Sequence, residues 1–133
     1  MQIALEPITL PADKQLLPKF LNQSHVVYMA HPYGGDFSNI LRARNLARRI
    51  NKQYPNLVLF NPLDNMQYMD RRPESDILAA EKYILVKCDM LLLTPGWRYS
   101  PGCQSEYQAS FKSGMPIIEI DESLTPNALF LGA

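Results

Sequence analysis

Two stretches of the chain gather residue types that bond-breaking chemistry uses. The first runs Pro95–Gly96–Trp97–Arg98–Tyr99–Ser100–Pro101–Gly102–Cys103–Gln104–Ser105–Glu106. Ser100 followed by Pro101 reads as the cap and first residue of a helix. Glu106 then lies one turn in, with no Lys or Arg three or four positions to either side. A carboxylate in a cleft without a built-in salt partner is available as acid, base or nucleophile. Gly102 lets a ligand approach the helix start, and Ser100 has a hydroxyl to offer an anion or a sugar. On spacing alone a plainer reading stays open: an ordinary helix-surface Glu, mildly favoured by the helix dipole.

The second stretch is His31–Pro32–Tyr33–Gly34–Gly35–Asp36. Gly34 and Gly35 permit close backbone approach, and a helix beginning there presents free N–H groups to an anion such as phosphate. Neither G-x-G-x-x-G nor G-x-x-x-x-G-K-[ST] occurs, which excludes the dinucleotide fingerprint and the P-loop at motif level. His31 has no partner at metal-ligand spacing and His25 begins a strand. Cys88 and Cys103 are too few for a disulfide framework or a zinc site. No metal and no organic cofactor is expected.

These loops need a scaffold, and the chain alternates strand and helix. His25–Val26–Val27–Tyr28–Met29–Ala30 is a short apolar run stopped by Pro32, the pattern of a buried parallel strand. Asp36 or Ser38 caps a helix with Ile40, Ala43, Leu46, Ala47 and Ile50 inward and Arg42, Arg44, Arg48 and Arg49 outward. Leu57–Phe60 is a second strand, stopped by Asn61–Pro62. Residues 63–73 read as a long polar loop, a candidate lid. A helix starting at Glu74 or Ser75 turns Ile77, Ala80, Ile84 and Cys88 inward. Met90–Leu93 is a third strand, Ser100 to about Ser113 a third helix, and Pro116–Ile120 a last strand.

This alternation predicts an α/β three-layer sandwich: a parallel Rossmann-like or flavodoxin-like sheet with helices on both faces. In such sheets ligands bind at the carboxyl ends of the strands. That rule selects the loops 30–38, 61–74 and 94–106. Residues 1–24 read as an N-terminal extension, with a short strand at Gln2–Leu5 and a helix at Asp13–Leu21, ahead of a domain at 25–133. The apolar tail from Leu124 is expected to pack on the sheet or on a second subunit.

Composition narrows the ligand. The chain has 133 residues, 13 basic and 13 acidic, for a net charge of zero. That removes the broad field that nucleic-acid or anionic-membrane binding requires. No apolar run approaches a membrane span and no signal-peptide pattern opens the chain. A cytoplasmic domain acting on a small molecule is expected.

A resemblance sharpens this. Val27–Tyr28–Met29–Ala30–His31–Pro32–Tyr33, with Asn39 and Ala43 on the next helix, then Phe60–Asn61–Pro62, resembles the nucleoside 2-deoxyribosyltransferase-like superfamily. So does Leu91–Leu92–Leu93–Thr94–Pro95–Gly96–Trp97 followed by Ser100–x–Gly102–x–x–x–Glu106 and Ala109. The similarity covers about residues 25–120, and its P-G-W-x-x-S-x-G-x-x-x-E core is similar to that of a small bacterial and phage branch.

The resemblance implies cleavage of an N-glycosidic bond in a nucleoside or nucleotide, with Glu106 as nucleophile and Tyr28 orienting it. Asp76 would bind the sugar or protonate the leaving base. Transferases proper carry another acid six residues before the nucleophile, where this chain has Ser100. Related 5'-phosphate hydrolases carry Ser there and use it on the phosphate. With Gly34, Gly35 and Arg42 nearby, that departure favours a nucleotide. Trp97 is expected either to stack on the base or to pack over the sheet edge, and Tyr28 has a plain core reading beside its catalytic one. The resemblance also implies a homo-oligomer, dimer or tetramer. Two alternatives remain: a non-catalytic nucleotide sensor on the same fold, and a phosphoribohydrolase-like enzyme, from whose P-G-G-x-G-T-x-x-E motif the chain departs at Trp97.

Overall fold

The apolar runs assemble into one sheet. The computed structural model describes residues 8–133, so the strand expected at Gln2–Leu5 lies outside the described residues. The strands are β1 (His25–Ala30), β2 (Leu57–Phe60), β3 (Met90–Leu93), β4 (Ile117–Ile120) and β5 (Pro126–Phe130), in the order β2-β1-β3-β4-β5. The first four are parallel, and Tyr28 lies level with Phe60 on one side and Leu91 on the other. The helices are α1 (Leu17–Leu21), α2 (Phe37–Gln53), α3 (Pro62–Asn65), α4 (Glu74–Leu85) and α5 (Pro101–Lys112).

Strand alternation sorts the core into two layers. Val27 and Met29 of β1 face the side where Leu17 and Leu21 of α1 and Ala43 and Ile50 of α2 are buried. Tyr28 and Ala30 face the opposite side, against Leu85 of α4 and Cys103 of α5. β3 is buried along its whole length. Each fully buried Leu or Ile there contributes about 1.5–3 kcal/mol of transfer free energy. The described part of the N-terminal extension sends Leu10, Leu17 and Leu21 into the first layer.

Two expectations change. The tail is a fifth strand, antiparallel to β4, so the sheet is mixed rather than all parallel. Asp121 Oδ1 accepts from the N–H groups of Ser123 (2.8 Å) and Thr125 (2.9 Å), and Leu124 takes a left-handed φ of 63°. That tight turn sends the chain back along β4. Residues 63–73 are not a bare loop: Pro62 starts α3, and a 3-10 turn follows at Gln67–Met69. Arg44 holds α3 to α2 by donating from Nη2 to Asp64 Oδ1 at 2.8 Å and from Nε to Oδ2 at 3.1 Å.

The sheet order places a switch point between β1 and β3. The chain leaves β1 towards α2 on one face and β3 towards α5 on the other, which opens a crevice between the two strand ends. Thr94 ties them, donating from both its backbone N–H (3.1 Å) and Oγ1 (2.9 Å) to the Ala30 carbonyl.

Candidate functional site

Tyr28 is one residue pair below the end of β1 and wholly buried, its ring 5.5 Å from that of Phe60. α5 is set by Ser100, whose Oγ accepts from the Cys103 N–H at 3.3 Å, and by Pro101 at its first position. One turn later the helix turns Glu106 inward against the Tyr28 hydroxyl. Both Tyr28 Oη and Glu106 Oε2 are shut off from solvent, and neither completes a hydrogen bond of ordinary length and angle. Such groups each cost about 1–3 kcal/mol when left unpaired. Two of them meeting at one point mark a place where another polar atom fits.

Electrostatics at this point are dominated by burial. It pushes the Glu106 carboxyl from 4.5 up to about 7, opposed by the facing Tyr28 hydroxyl and reinforced by the charge of Glu81. Burial also pushes the Tyr28 phenol well above its ordinary range, with Glu106 adding to the effect. Glu81 is raised by burial too. The thiols of Cys88 and Cys103, on the same side of the sheet, both rise to about 11.

Glu81 is a residue that sequence reasoning did not single out, and Asp76, on the same helix, is placed differently. Asp76 sits in the first turn of α4 with its side chain 44% exposed, bonded to Arg72 Nη2 at 3.0 Å. Five residues on, and about 140° around a helix of 3.6 residues per turn, Glu81 falls on the inward stripe. It is four positions after Ile77 and three before Ile84. That phase was readable in the sequence. Of the acids on α4, Glu81 is the one whose charge acts on Glu106.

The other expected residues divide by role. Trp97 is engaged in packing: its ring stacks on Tyr107 at 5.5 Å with an 8° interplanar angle, the Arg98 guanidinium lies 4.6 Å over it, and its N–H donates to Glu119 at 2.9 Å. Of its two expected roles, the structure supplies partners for packing. Gly34 and Gly35 have φ of 58° and 78°, values that suit glycine, in a turn with open space around it. Gly102 has room for a side chain, so nothing in its surroundings demands glycine. Asn39 donates to the Tyr33 carbonyl at 2.9 Å and so holds the glycine turn against α2. Ser100 uses an Oγ lone pair as cap and keeps its own proton to donate.

Arg42 lies elsewhere, in a cleft of about 660 Å³ on the α2 side of the crevice that also includes His31, Asn39, Asn45, Arg49 and Glu122. The pair Tyr28–Glu106 and this cleft lie on opposite faces of the sheet, on either side of the β1 and β3 ends. Asn61 is a further buried polar group, with both amide atoms unpartnered. Among the described residues, no group of three or more His, Cys, Asp or Glu is placed to hold a metal ion, and no helix is long and apolar enough to cross a membrane.

No protein-family model matches the sequence, and no curated protein matches it. Among solved structures, a 2-desoxiribosyltransferase from Leishmania mexicana matches with a TM-score of 0.55 over 80% of each chain, at 17% identity. The strand order, the two helical layers and this match together show that the chain has a nucleoside 2-deoxyribosyltransferase-like fold.

Proposed function

We propose that the protein cleaves the N-glycosidic bond of a nucleoside 5'-monophosphate or nucleoside, by hydrolysis or base transfer, with Glu106 as nucleophile. One observation carries the reading: the Oε2 of Glu106 and the phenol oxygen of Tyr28, both shut off from solvent and neither completing an ordinary hydrogen bond, meet beside the crevice of a sheet whose structural relative is named as a deoxyribosyltransferase. The Glu106 carboxylate attacks the anomeric carbon through an oxocarbenium-like transition state and forms a glycosyl ester while the carbon–nitrogen bond breaks. The bonding pair leaves with the base, which takes a proton from a neighbouring acid. Glu81 fits that task better than Asp76, because it lies on the inward stripe of α4 where burial raises its pKa, whereas Asp76 is paired with Arg72 at the surface. Water, losing a proton to the carboxylate that the acid left behind, then attacks the anomeric carbon and frees the Glu106 carboxylate, or a second base takes the sugar. The Tyr28 hydroxyl donates to the Glu106 carboxylate and steadies its ionised form. Ser100, Gly34 and Gly35 meet the 5' end of the substrate.

The solvent-inaccessible Oε2 of Glu106 favours a second reading, a nucleotide sensor on the same fold. Incubation with nucleoside 5'-monophosphates and nucleosides, with and without an acceptor base, separates the two by chromatography. Free or exchanged base supports the enzyme; binding without either product supports the sensor. Glu81→Gln should lower the rate at least a hundredfold and Asp76→Asn less than threefold. The reverse order removes Glu81 from the mechanism.

A further inference from the structure

The cleft on the α2 side is longer than one phosphate requires. Asn39, Arg42, Asn45 and Arg49 follow one another at three- or four-residue steps, so they form one stripe along α2. Arg42 and Arg49 are seven residues apart, about 10 Å along the axis at 1.5 Å per residue. Arg49 is held at the far end by its bond to the Glu122 carbonyl at 3.2 Å. Arg42 is at the near end, close enough to His31 for its charge to help hold the imidazole below its ordinary pKa, a shift that burial dominates.

His31 contributes an acceptor rather than a charge. Its Nδ1 lies 2.8 Å from the Pro32 carbonyl, which can only accept, so Nδ1 carries the proton and Nε2 keeps its lone pair. The cleft thus has two guanidinium groups with the neutral amide of Asn45 between them, Asn39 beyond Arg42, and a single carboxylate, Glu122. A guanidinium binds phosphate oxygens through paired N–H donors. One phosphate meets one guanidinium; two linked phosphates meet both. The opposite-face placement of Glu106 adds a second argument, since a ligand that spans the crevice into this cleft must extend past its first phosphate.

We propose that the cleft binds the pyrophosphate group of a nucleotide, with Arg42 on the proximal phosphate and Arg49 on the distal one. This deepens the reading of Glu106 as a glycosidic nucleophile and rests on it for the position of the sugar. The preferred substrate is then a nucleotide bearing a pyrophosphate, either a nucleoside diphosphate or two nucleosides joined through one.

Titration calorimetry with inorganic phosphate and inorganic pyrophosphate tests the cleft without reference to base or turnover. Pyrophosphate should bind at least tenfold more tightly. Arg49→Gln should erase that preference with little change in phosphate affinity, and Arg49→Lys should retain part of it. Thermal melting checks that the variants fold. Equal affinity for the two anions, no binding of either, or a preference that survives Arg49→Gln overturns the proposal. Adenosine diphosphate and a pyrophosphate-linked dinucleotide, each compared with adenosine monophosphate, identify which source supplies the group. A pyrophosphate preference in a protein that releases no base from any nucleotide supports the cleft and refutes the glycosidase.

Discussion

Replacing Glu106 by Gln should make the protein more stable, and only above a definite pH. The folded protein holds a proton on Glu106 up to about pH 7, whereas the unfolded chain releases it near 4.5. Between those values the native state binds more protons than the unfolded one, so stability falls as pH rises through the window. At 1.36 kcal/mol per unit the full cost is about 3 kcal/mol, absent below pH 4.5 and complete above pH 7. Glutamine keeps the shape and has no charge to bury. Urea unfolding followed by the fluorescence of Trp97, the single tryptophan, should find the variant equal to the wild type at pH 4.5. At pH 8 it should be about 3 kcal/mol more stable, with a melting temperature about 10 °C higher for a domain of this size.

Two other groups titrate nearby. Glu81 is raised by burial and adds a slope of the same sign. His31 is lowered, so it costs stability as pH falls through 6.5. Comparing variant with wild type at each pH removes the His31 contribution and most of that from Glu81. A difference that stays flat from pH 4.5 to 8, or a variant weaker at pH 8, refutes the picture of a carboxyl whose ionisation burial opposes.

Two further substitutions probe separate features. Tyr28→Phe removes the group that lowers the Glu106 pKa, so the acid limb of the rate–pH profile should move above 7 and the rate should fall about ten- to a hundredfold; stability should hold at pH 4.5 and fall at pH 8, where the ionised carboxylate loses the hydroxyl that steadies it. An unmoved limb separates the phenol from the carboxyl. At Leu124, buried and left-handed, Gly loses the side chain but releases about 1 kcal/mol of backbone strain, whereas Ala loses the side chain and keeps the strain. The urea midpoints should rank Leu above Gly above Ala, and Ala above Gly would contradict the left-handed turn.

Much of the scaffold is legible because its signals are local. His25–Ala30 and Met90–Leu93 are apolar runs bounded by proline or glycine, and Asp36 and Ser100 cap their helices through side chains as their types predict. β5 is not legible in this way. Pro126–Asn127–Ala128 carries no strand pattern, and the segment pairs because the Asp121 turn lays it against the open edge of β4. The site divides along the same line. The meeting of Tyr28 and Glu106 follows from a strand end and a capped helix on one face. Choosing Glu81 over Asp76 requires the rotational phase of α4, and the first-turn position of Asp76 is explained by Arg72 four residues earlier. The partners of Trp97 are Tyr107, ten residues on, and Glu119, 22 residues on. No window around Trp97 contains both its ring partner and its hydrogen-bond acceptor as neighbours.

The burial of Cys103 gives the site a built-in clock. Its thiol lies on the first turn of α5, covered, with a pKa of about 11. At pH 8 only about one molecule in a thousand carries the reactive thiolate, even before access is considered. A disulfide reagent therefore modifies Cys103 only as fast as α5 parts from the sheet. The labelling rate counts those openings, and a ligand seated against Glu106 would slow the count in proportion to its occupancy.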